Sequence, residues 1–288
     1  MKLNELHAHV FMDGIDYKNS VERFKKGIDE VHVRNVLKAY QETGIDFVRD
    51  GGDHFGACIF AKSIAYEFGI TYITPAFAIY KEGNYGRVVG LAYNNLKEYK
   101  QLIDKARNDG ADFIKIMVSG ILDFNQLGVV SRTNYSKDEV KELVHVAHEE
   151  GFAVMAHASG KNEVKMVALA GADSIEHGYY IDDETLDIIK EKNIVWVPTA
   201  VTSDNLKGCK RFNEEAVEKI SAAHQEAILK AKEKNVHVGL GSDAGAYRVL
   251  HAKGCKDEYE LLRKLFGEST DEILETSTNI IKEKFIKK

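Results

Sequence analysis

Proline, cysteine and long apolar runs are scarce in this chain of 288 residues, and each scarcity excludes a class of protein. Two prolines leave no proline-rich linker between domains. The three cysteines, Cys58, Cys209 and Cys255, are too few and too scattered for a disulfide framework, so we expect a reducing, cytoplasmic location. No apolar run approaches the roughly 20 residues that span a bilayer, and no signal-peptide pattern opens the chain. We therefore expect no membrane association.

The charge balance excludes another class of partner. There are 39 lysines and arginines against 45 acidic residues, which gives a formal net charge of -6 at pH 7 with neutral histidines. A net negative chain has little attraction for a phosphate backbone, so we expect no nucleic acid partner. The hydrophobic content of 44% and the charged content of 29% are typical of globular proteins. Since no break in composition is visible, residues 1–288 are predicted to form a single domain.

Short segments rich in valine, isoleucine and phenylalanine alternate with helical patterns along the chain. The predicted strands span residues 3–10, 45–50, 70–80, 113–118, 152–158, 174–177, 194–198 and 236–241. The predicted helices span residues 31–43, 57–68, 91–108, 136–150, 162–170, 182–192, 213–234, 257–266 and 270–285. This alternation predicts an α/β fold of the (β/α)8 TIM barrel type, with a doubly wound open sheet as the alternative. In such a barrel, functional residues lie at the C-terminal ends of the strands.

The first predicted strand ends in Leu6-His7-Ala8-His9. Alternate residues of a strand share a face, so the two imidazoles are expected to point the same way. Later strand ends carry further polar side chains, namely Asp50, Asp53, His54, Lys115, His157, His177 and Asp243. Neutral imidazoles combined with carboxylates suit Zn²⁺ or a related first-row metal ion. The sequence therefore predicts a metal site at the mouth of the barrel.

Lys115 is unusual in this set because it lies between apolar Ile114 and Ile116. A buried ammonium group is costly and cannot bind a cation. Lys115 is therefore either paired with an acid or chemically changed. Its neutral amine can add carbon dioxide to form a carbamate, an anion that can bridge two metal ions.

Seven motifs in barrel order make the chain resemble the metal-dependent amidohydrolase superfamily, in the branch of imidazolonepropionase-like and prolidase-like enzymes. The motifs are Leu6-His7-Ala8-His9, Val48-Arg49-Asp50-Gly51-Gly52, Ile114-Lys115-Ile116-Met117-Val118-Ser119-Gly120, Met155-Ala156-His157-Ala158-Ser159-Gly160, Asp173-Ser174-Ile175-Glu176-His177-Gly178, Val197-Pro198-Thr199 and Gly241-Ser242-Asp243-Ala244-Gly245. The resemblance runs nearly from end to end of the chain.

The resemblance implies one or two divalent metal ions as cofactors, with Zn²⁺ expected first. His7, His9 and Asp243 would hold the deeper ion. His157 and His177 would hold the more exposed ion, and Lys115, as a carbamate, would bridge the two. The implied reaction is hydrolysis of a C–N bond in a small-molecule amide or dipeptide-like substrate. A hydroxide between the ions would attack, with Asp243 as general acid and base.

The chain differs from such relatives in one respect. They usually carry a small β-sandwich built from both chain ends, whereas His7 lies close to Met1 and the chain stops soon after the last predicted helix. We therefore expect the flanking β-sandwich to be absent. The sandwich supplies no metal ligand, so the expected chemistry is unaffected. Oligomerisation stays open, including a homo-oligomer.

Four residues outside the ligand set are candidate substrate contacts. Tyr179 and Tyr180 follow the sixth predicted strand and can hydrogen-bond a substrate carboxylate. Arg132, in the loop after the fourth strand, is a candidate for binding a substrate anion, and His54 lies after the second strand. Glu176 is expected to face the barrel wall and to orient its neighbours.

Other functions stay open at this level. A mononuclear cyclic-amide hydrolase or deaminase would leave Lys115 unmodified, and a phosphotriesterase-type or lactonase-type hydrolase uses similar ligands. A non-catalytic metal-containing barrel is the alternative outside enzymes. Such a barrel should have lost at least one ligand, and none is missing here.

Overall fold

A computed structural model describes residues 2–131 and 133–286 as a barrel of parallel strands surrounded by helices. The strands are β1 (Glu5–Ala8), β2 (Phe47–Asp50), β3 (Thr71–Ile73), β4 (Ala78–Lys81), β5 (Gly90–Tyr93), β6 (Ile114–Met117), β7 (Val154–Ala158), β8 (Ser174–His177), β9 (Val195–Val197) and β10 (His237–Val238). The helices are α1 (Tyr17–Phe24), α2 (Glu30–Thr43), α3 (Ala57–Ile64), α4 (Leu96–Asn108), α5 (Lys137–Glu149), α6 (Lys161–Ala170), α7 (Asp183–Glu191), α8 (Val201–Asp204), α9 (Glu214–Glu233), α10 (Lys253–Phe266) and α11 (Thr270–Phe285). Two short 3-10 helices, Ala65–Phe68 and Gly267–Ser269, follow α3 and α10.

Hydrogen-bonded ladders group the strands into two sheets, ordered β1-β2-β3 and β10-β9-β8-β7-β6-β4-β5. The sheets are joined because β3 and β4 are consecutive pieces of one segment. No ladder links β1 directly to β10, but backbone hydrogen bonds connect β1 to the residues after β10. Leu6 donates to the Leu240 carbonyl at 2.9 Å, and Asp243 donates to the His7 carbonyl at 2.8 Å. The predicted (β/α)8 barrel is confirmed.

Every ladder between these strands is parallel. Within residues 2–131 and 133–286 these strands therefore form no antiparallel sheet beside the barrel. In the same part of the chain, no helix is both long enough and apolar enough to cross a membrane. The assignment of residues 1–288 to a single domain stays a prediction.

The barrel interior changes from apolar to polar along the strands. Alternate residues face inward, so Phe47 is followed by Arg49, and Phe113 by Lys115. Phe47 and Phe113 belong to an apolar cluster that Phe285 of α11 completes. The polar residues therefore gather near the C-terminal ends of the strands, above an apolar floor.

Several predicted elements differ from the structure. The third predicted strand, residues 70–80, is divided into β3 and β4 around Pro75, which has no N–H to donate, and Ala76 has a positive φ of 64°. The predicted helix 91–108 begins only at Leu96, because residues 90–93 pair with β4 as β5 and Asn95 caps the helix. The predicted strand 236–241 forms a ladder only over His237–Val238. Two helices, α1 and α8, lie in segments without a predicted helix.

Candidate metal centre

Three ligand-type side chains meet where β1 ends and where the chain leaves β10. The Nε2 atoms of His7 and His9 lie 3.5 and 3.8 Å from Oδ1 of Asp243. One ligand atom from each residue lies within 4.8 Å of the others, and no second group of this kind occurs in the described part of the chain. The two histidines are buried and Asp243 is half-buried. This donor set fits a divalent cation that prefers nitrogen and carboxylate ligands.

The imidazoles of His7 and His9 each form a hydrogen bond through Nδ1, the ring nitrogen that does not face Asp243. Nδ1 of His7 lies 2.7 Å from Oε2 of Glu176, and Nδ1 of His9 lies 3.1 Å from the Gly52 carbonyl oxygen. A carboxylate and a carbonyl can only accept, so both Nδ1 atoms donate. The Nε2 atoms then keep a lone pair on the side of Asp243. Support of this kind is typical of metal-binding histidines.

Glu176 lies in a buried hydrogen-bond network. Its carboxylate accepts from Nη2 of Arg49 at 2.9 and 3.1 Å and from Oγ of Ser174 at 2.5 Å. Burial raises the pKa of Glu176, and the Arg49 charge acts in the opposite direction. For Arg49 the direction is reversed: burial lowers its pKa, and the Glu176 charge raises it. Because each charge compensates the other, we describe the two as an ion pair, and Glu176 contacts the histidine that it is expected to orient.

Burial also keeps the histidines in their ligand form. It lowers the pKa of His7, His9 and His177 well below the ordinary value, and it lowers the pKa of His157 to about 4, with nearby positive charge adding to the effect. All four imidazoles are therefore neutral near pH 7. A neutral imidazole is the form that binds a metal ion.

Lys115 projects from β6 into the same space. Its Nζ lies 3.2 Å from Nε2 of His7 and 3.4 Å from Nε2 of His9. Burial lowers the pKa of Lys115 to about 8, although the Asp243 carboxylate opposes the shift. Among the ion pairs within residues 2–131 and 133–286, none includes Lys115, although an acidic partner was one of its two expected fates. The carbamate stays a prediction.

His157 and His177 lie beside this group without joining it. Their rings are 4.5 Å apart, and the His177 ring is 5.0 Å from the His7 ring. Nε2 of His157 lies 3.1 Å from the Gly120 carbonyl oxygen, which leaves its Nδ1 for a ligand. Nδ1 of His177 lies 2.8 Å from Oγ1 of Thr199, which leaves its Nε2. Their role as ligands of a second ion stays a prediction.

The two tyrosines predicted to contact substrate already have partners. Tyr179 is buried, its ring stacks on His224 at 3.8 Å, and its hydroxyl lies 2.8 Å from Oγ1 of Thr202. The Tyr180 hydroxyl accepts a hydrogen bond from the Gly128 backbone at 2.8 Å. Tyr180 thereby fixes the loop after β6 to the end of β8. A substrate contact for either residue stays a prediction.

The remaining two candidate substrate residues lie in loops. His54 is exposed, and its ring lies 4.1 Å from the ring of Phe55. Partial burial lowers the pKa of His54. Arg132 lies outside the described residues. Their proposed contacts with substrate also stay predictions.

Tyr85 is a candidate that carries no sequence signal. It lies in the loop between β4 and β5, and its ring is 5.6 Å from the His157 ring. Burial raises the pKa of Tyr85 to about 12, and the Asp243 carboxylate adds to the shift. Within the described ranges its hydroxyl has no hydrogen-bond partner. A protonated phenol beside these residues can donate to a substrate oxygen. No motif marks this loop, so only the folded structure reveals it.

The chain is similar to known proteins in sequence and in fold. An alignment of 161 positions, which covers 52% of the chain, is 28% identical to ochratoxinase from Aspergillus niger. The aligned part corresponds to 32% of the ochratoxinase, so the alignment spans about a third of this relative. Among solved structures, a Xaa-Pro dipeptidase with methionine bound in its active site has a TM-score of 0.75 at 20% identity, covering 97% of this chain and 75% of that one. A prolidase complexed with N-methylphosphonate-L-proline has a TM-score of 0.74 at 21% identity, covering 98% and 73%. These structural likenesses show a shared fold.

The family model of the amidohydrolases matches residues 4–279. This range contains all six predicted ligands, His7, His9, Lys115, His157, His177 and Asp243. The solved prolidase structures share the fold of this chain, and the assignment to the prolidase-like branch rests on the sequence motifs. The chain belongs to the amidohydrolase family.

Proposed function

We propose that this chain is a metal-dependent hydrolase of amide-type C–N bonds that acts on a small-molecule amide or dipeptide-like substrate. The observation that carries the proposal is the compact group of His7, His9 and Asp243 with the Lys115 amine beside it. Membership in the amidohydrolase family supports this class of reaction. The names of the relatives, a Xaa-Pro dipeptidase and a prolidase among them, support a peptide-like substrate.

The residues present fit a divalent cation, for which Zn²⁺ is our first choice. His7, His9 and Asp243 would hold one ion, His157 and His177 would hold a second, and the Lys115 carbamate would lie between them. When bound, such an ion lowers the pKa of water toward about 7 and polarises a carbonyl group.

The surroundings of Lys115 favour the carbamate. Carbamate formation requires the neutral amine, whose nitrogen bonds to the carbon of carbon dioxide and then releases one proton. A lysine whose pKa is lowered to about 8 has far more neutral amine near pH 7 than an exposed lysine. Nζ of Lys115 lies close to the Nε2 atoms of His7 and His9, which are proposed metal ligands. A cationic Lys115 would compete with a metal ion for the lone pairs of these atoms.

Asp243 is the proposed acid and base. Burial raises its pKa to about 6, and Lys115 opposes the shift. A carboxylate with a pKa near the working pH can accept a proton and release it again. We assign to Asp243 the proton of the attacking water, which it then delivers to the leaving nitrogen as the C–N bond breaks. The products are a carboxylate and an amine.

The test compares the metal-reconstituted wild type with Asp243→Asn and Lys115→Ala on a panel of N-acyl amino acids, dipeptides and lactams. We expect turnover of at least one panel member by the wild type. Loss of the acid and base should lower kcat by at least about a hundredfold in Asp243→Asn. Full activity in both variants, each verified as folded by circular dichroism, would contradict the proposal.

A mononuclear hydrolase of cyclic amides, or a deaminase, is the second candidate function. The observation that favours it is that His157 and His177 lie outside the compact group of three. The number of Zn²⁺ ions per active chain and the mass of the Lys115 peptide separate the two candidates. One ion and an unmodified lysine in fully active protein would select the mononuclear reaction.

The setting of the enzyme is also proposed from its sequence. Three scattered cysteines suit a reducing, cytoplasmic compartment, and the even composition suits a single domain over residues 1–288. Fractionation of the native cells and limited proteolysis of the full chain would test these two assignments.

A further inference from the structure

Thr199, two residues after the end of β9, has a backbone conformation that threonine rarely adopts. Its φ is +49°, in the left-handed region, and its side chain is fully buried. β-branched residues are disfavoured there because the side chain crowds the backbone. Strain of this kind persists only where the surroundings hold it, and it concentrates at functional sites.

The side chain of Thr199 contacts one of the proposed ligands. Its Oγ1 lies 2.8 Å from Nδ1 of His177. His177 itself has a positive φ of 69°, and its carbonyl oxygen accepts a hydrogen bond from Nε1 of Trp196 at 2.9 Å. The backbone and the ring of His177 are thus both held by residues of β9 and of the turn that follows it.

Two outer helices hold the turn after β9, residues 198–201, in place. Glu258 of α10 accepts hydrogen bonds from the backbone of Ala200 at 3.0 Å and of Val201 at 2.8 Å. From α9, Nε2 of His224 lies 2.9 Å from the Pro198 carbonyl oxygen. Glu258 is fully buried, and it forms no ion pair within residues 2–131 and 133–286. A buried carboxyl group without a cation is costly, and the two backbone hydrogen bonds offset part of that cost.

We propose that Thr199, held in place by Glu258, is the positioning residue that sets the tautomer and orientation of His177. If Nδ1–H of His177 donates to Oγ1 of Thr199, Nε2 keeps its lone pair for a ligand. The inference rests on the proposed function in taking His177 as a ligand of the second ion. Glu258 acts only through the turn, at a distance from the ligands themselves.

The first test needs no metal. Nitrogen-15 NMR of histidine-labelled, metal-free protein reports which ring nitrogen of His177 carries the proton, with His177→Gln used to assign the signal. We expect the Nδ1–H tautomer in the wild type and in Thr199→Ser, which keeps the hydroxyl. We expect a mixed or reversed tautomer in Thr199→Val, which keeps the shape and loses the oxygen. Ser203→Ala, which removes a buried hydroxyl of α8 that donates to the Ala200 carbonyl oxygen at 3.0 Å and does not contact His177, should match the wild type.

The second test is a calorimetric titration with Zn²⁺. Loss of an outer partner of a ligating histidine typically weakens metal binding by about 10- to 100-fold. Thr199→Val and Glu258→Gln should show this loss for the second equivalent of Zn²⁺ and keep the affinity of the first, whereas Thr199→Ser should bind as the wild type does.

Two results would overturn the inference: an Nε2–H tautomer in the wild type, or unchanged tautomer and Zn²⁺ affinity in Thr199→Val. If Glu258→Gln does not fold, the threonine variants still decide. A wild type that binds only one equivalent of Zn²⁺ counts against the binuclear part of the proposed function, while the tautomer measurement still decides the role of Thr199.

Discussion

At the scale of single residues, Glu176 links the candidate metal centre to the barrel interior. One carboxylate accepts from His7 at 2.7 Å and from Arg49 at 2.9 Å, and all three side chains are fully buried. The Arg49 guanidinium also lies 4.7 Å from the centre of the Phe285 ring. Orientation of a ligand and neutralisation of a buried charge therefore depend on the same group.

Replacing Glu176 by glutamine should destabilise the protein because the buried Arg49 would lose its counter-charge. Breaking a buried pair on one side costs about 3–5 kcal/mol. Denaturant unfolding of metal-free protein measures the loss apart from any change in metal binding. Glu260→Gln, which removes an exposed partner of Arg263 at 3.7 Å, is the control and should unfold as the wild type does. Equal stability of Glu176→Gln and the wild type would contradict this account.

Tyr85→Phe should lower kcat of the metal-reconstituted enzyme and change KM little. A donor aimed at the oxygen that gains charge in the transition state typically contributes about 10²–10³ in kcat. Tyr66→Phe, which changes a tyrosine that is 75% exposed, should leave kcat unchanged. If Tyr85→Phe keeps the wild-type kcat, the hydroxyl has no part in the reaction.

The six proposed ligands could be named as candidates from the sequence because each lies on a predicted strand or just after one. Tyr85, Thr199 and Glu258 could not. The position of Tyr85 depends on the path of its loop. Gly86 allows this path because a side chain at that position would collide with the Tyr80 ring. Glu258 lies on a helix with many charged residues, where a buried glutamate has the same pattern as an exposed one.

At the scale of elements, the ends of three barrel strands share a left-handed residue other than glycine. His177 ends β8, Thr199 follows β9, and Asp243 follows β10, with φ values of 69°, 49° and 60°. The order of strands follows from the sequence because apolar strand patterns alternate with helical patterns along the chain. The left-handed conformations cannot be predicted from the sequence, because they arise from contacts with other elements, as at Thr199.

Asp182, the N-cap of α7, predicts a pH-dependent contribution to stability. Burial alone would raise its pKa, but hydrogen bonds from Thr185 and Lys161 lower the pKa to about 2. Since the folded pKa lies below the unfolded value of about 3.9, the stabilisation is present above pH 4 and is lost as the pH falls toward 2. Asp182→Ala should cost about 1 kcal/mol at pH 7 and much less near pH 2.5, measured by urea unfolding.

The neighbouring Asp183→Ala is the matched control for the cap. Asp183 lies in the first turn of the same helix and is exposed. Its replacement should change the free energy of unfolding less than that of Asp182 at pH 7. A cost for Asp182→Ala that is the same at both pH values would show that the cap acts without its charge.

At the scale of the whole molecule, the candidate metal centre joins the two ends of the barrel. His7 lies in β1, His9 directly follows β1, and Asp243 follows β10. Between these strands the ladder is replaced by single hydrogen bonds and by Glu5, whose carboxylate accepts from the Ser242 backbone at 2.8 Å. The barrel and its polar end could be predicted from the strand pattern. The closure of the barrel between β1 and β10 could not be predicted, because it depends on contacts such as the one between Glu5 and Ser242.

A metal ion at this junction should stabilise the folded chain. An ion present at a hundred times its Kd contributes about 2.7 kcal/mol, which corresponds to roughly 4–5 °C in Tm for a chain of this size. Differential scanning calorimetry with and without a chelator should therefore show a lower Tm for chelated wild type. His9→Ala should lose this difference, whereas the Tyr66→Phe control should keep it. A chelator effect that survives in His9→Ala would place the stabilising ion elsewhere.

The most direct measurement is anomalous X-ray scattering at the zinc edge from crystals of the Zn²⁺-reconstituted protein. We predict a strong peak in contact with Nε2 of His7, Nε2 of His9 and a carboxylate oxygen of Asp243. We also predict a second peak beside His157 and His177, with density for a carbamate on Lys115 between the two. Fully reconstituted crystals without a peak at His7, His9 and Asp243 would contradict the account.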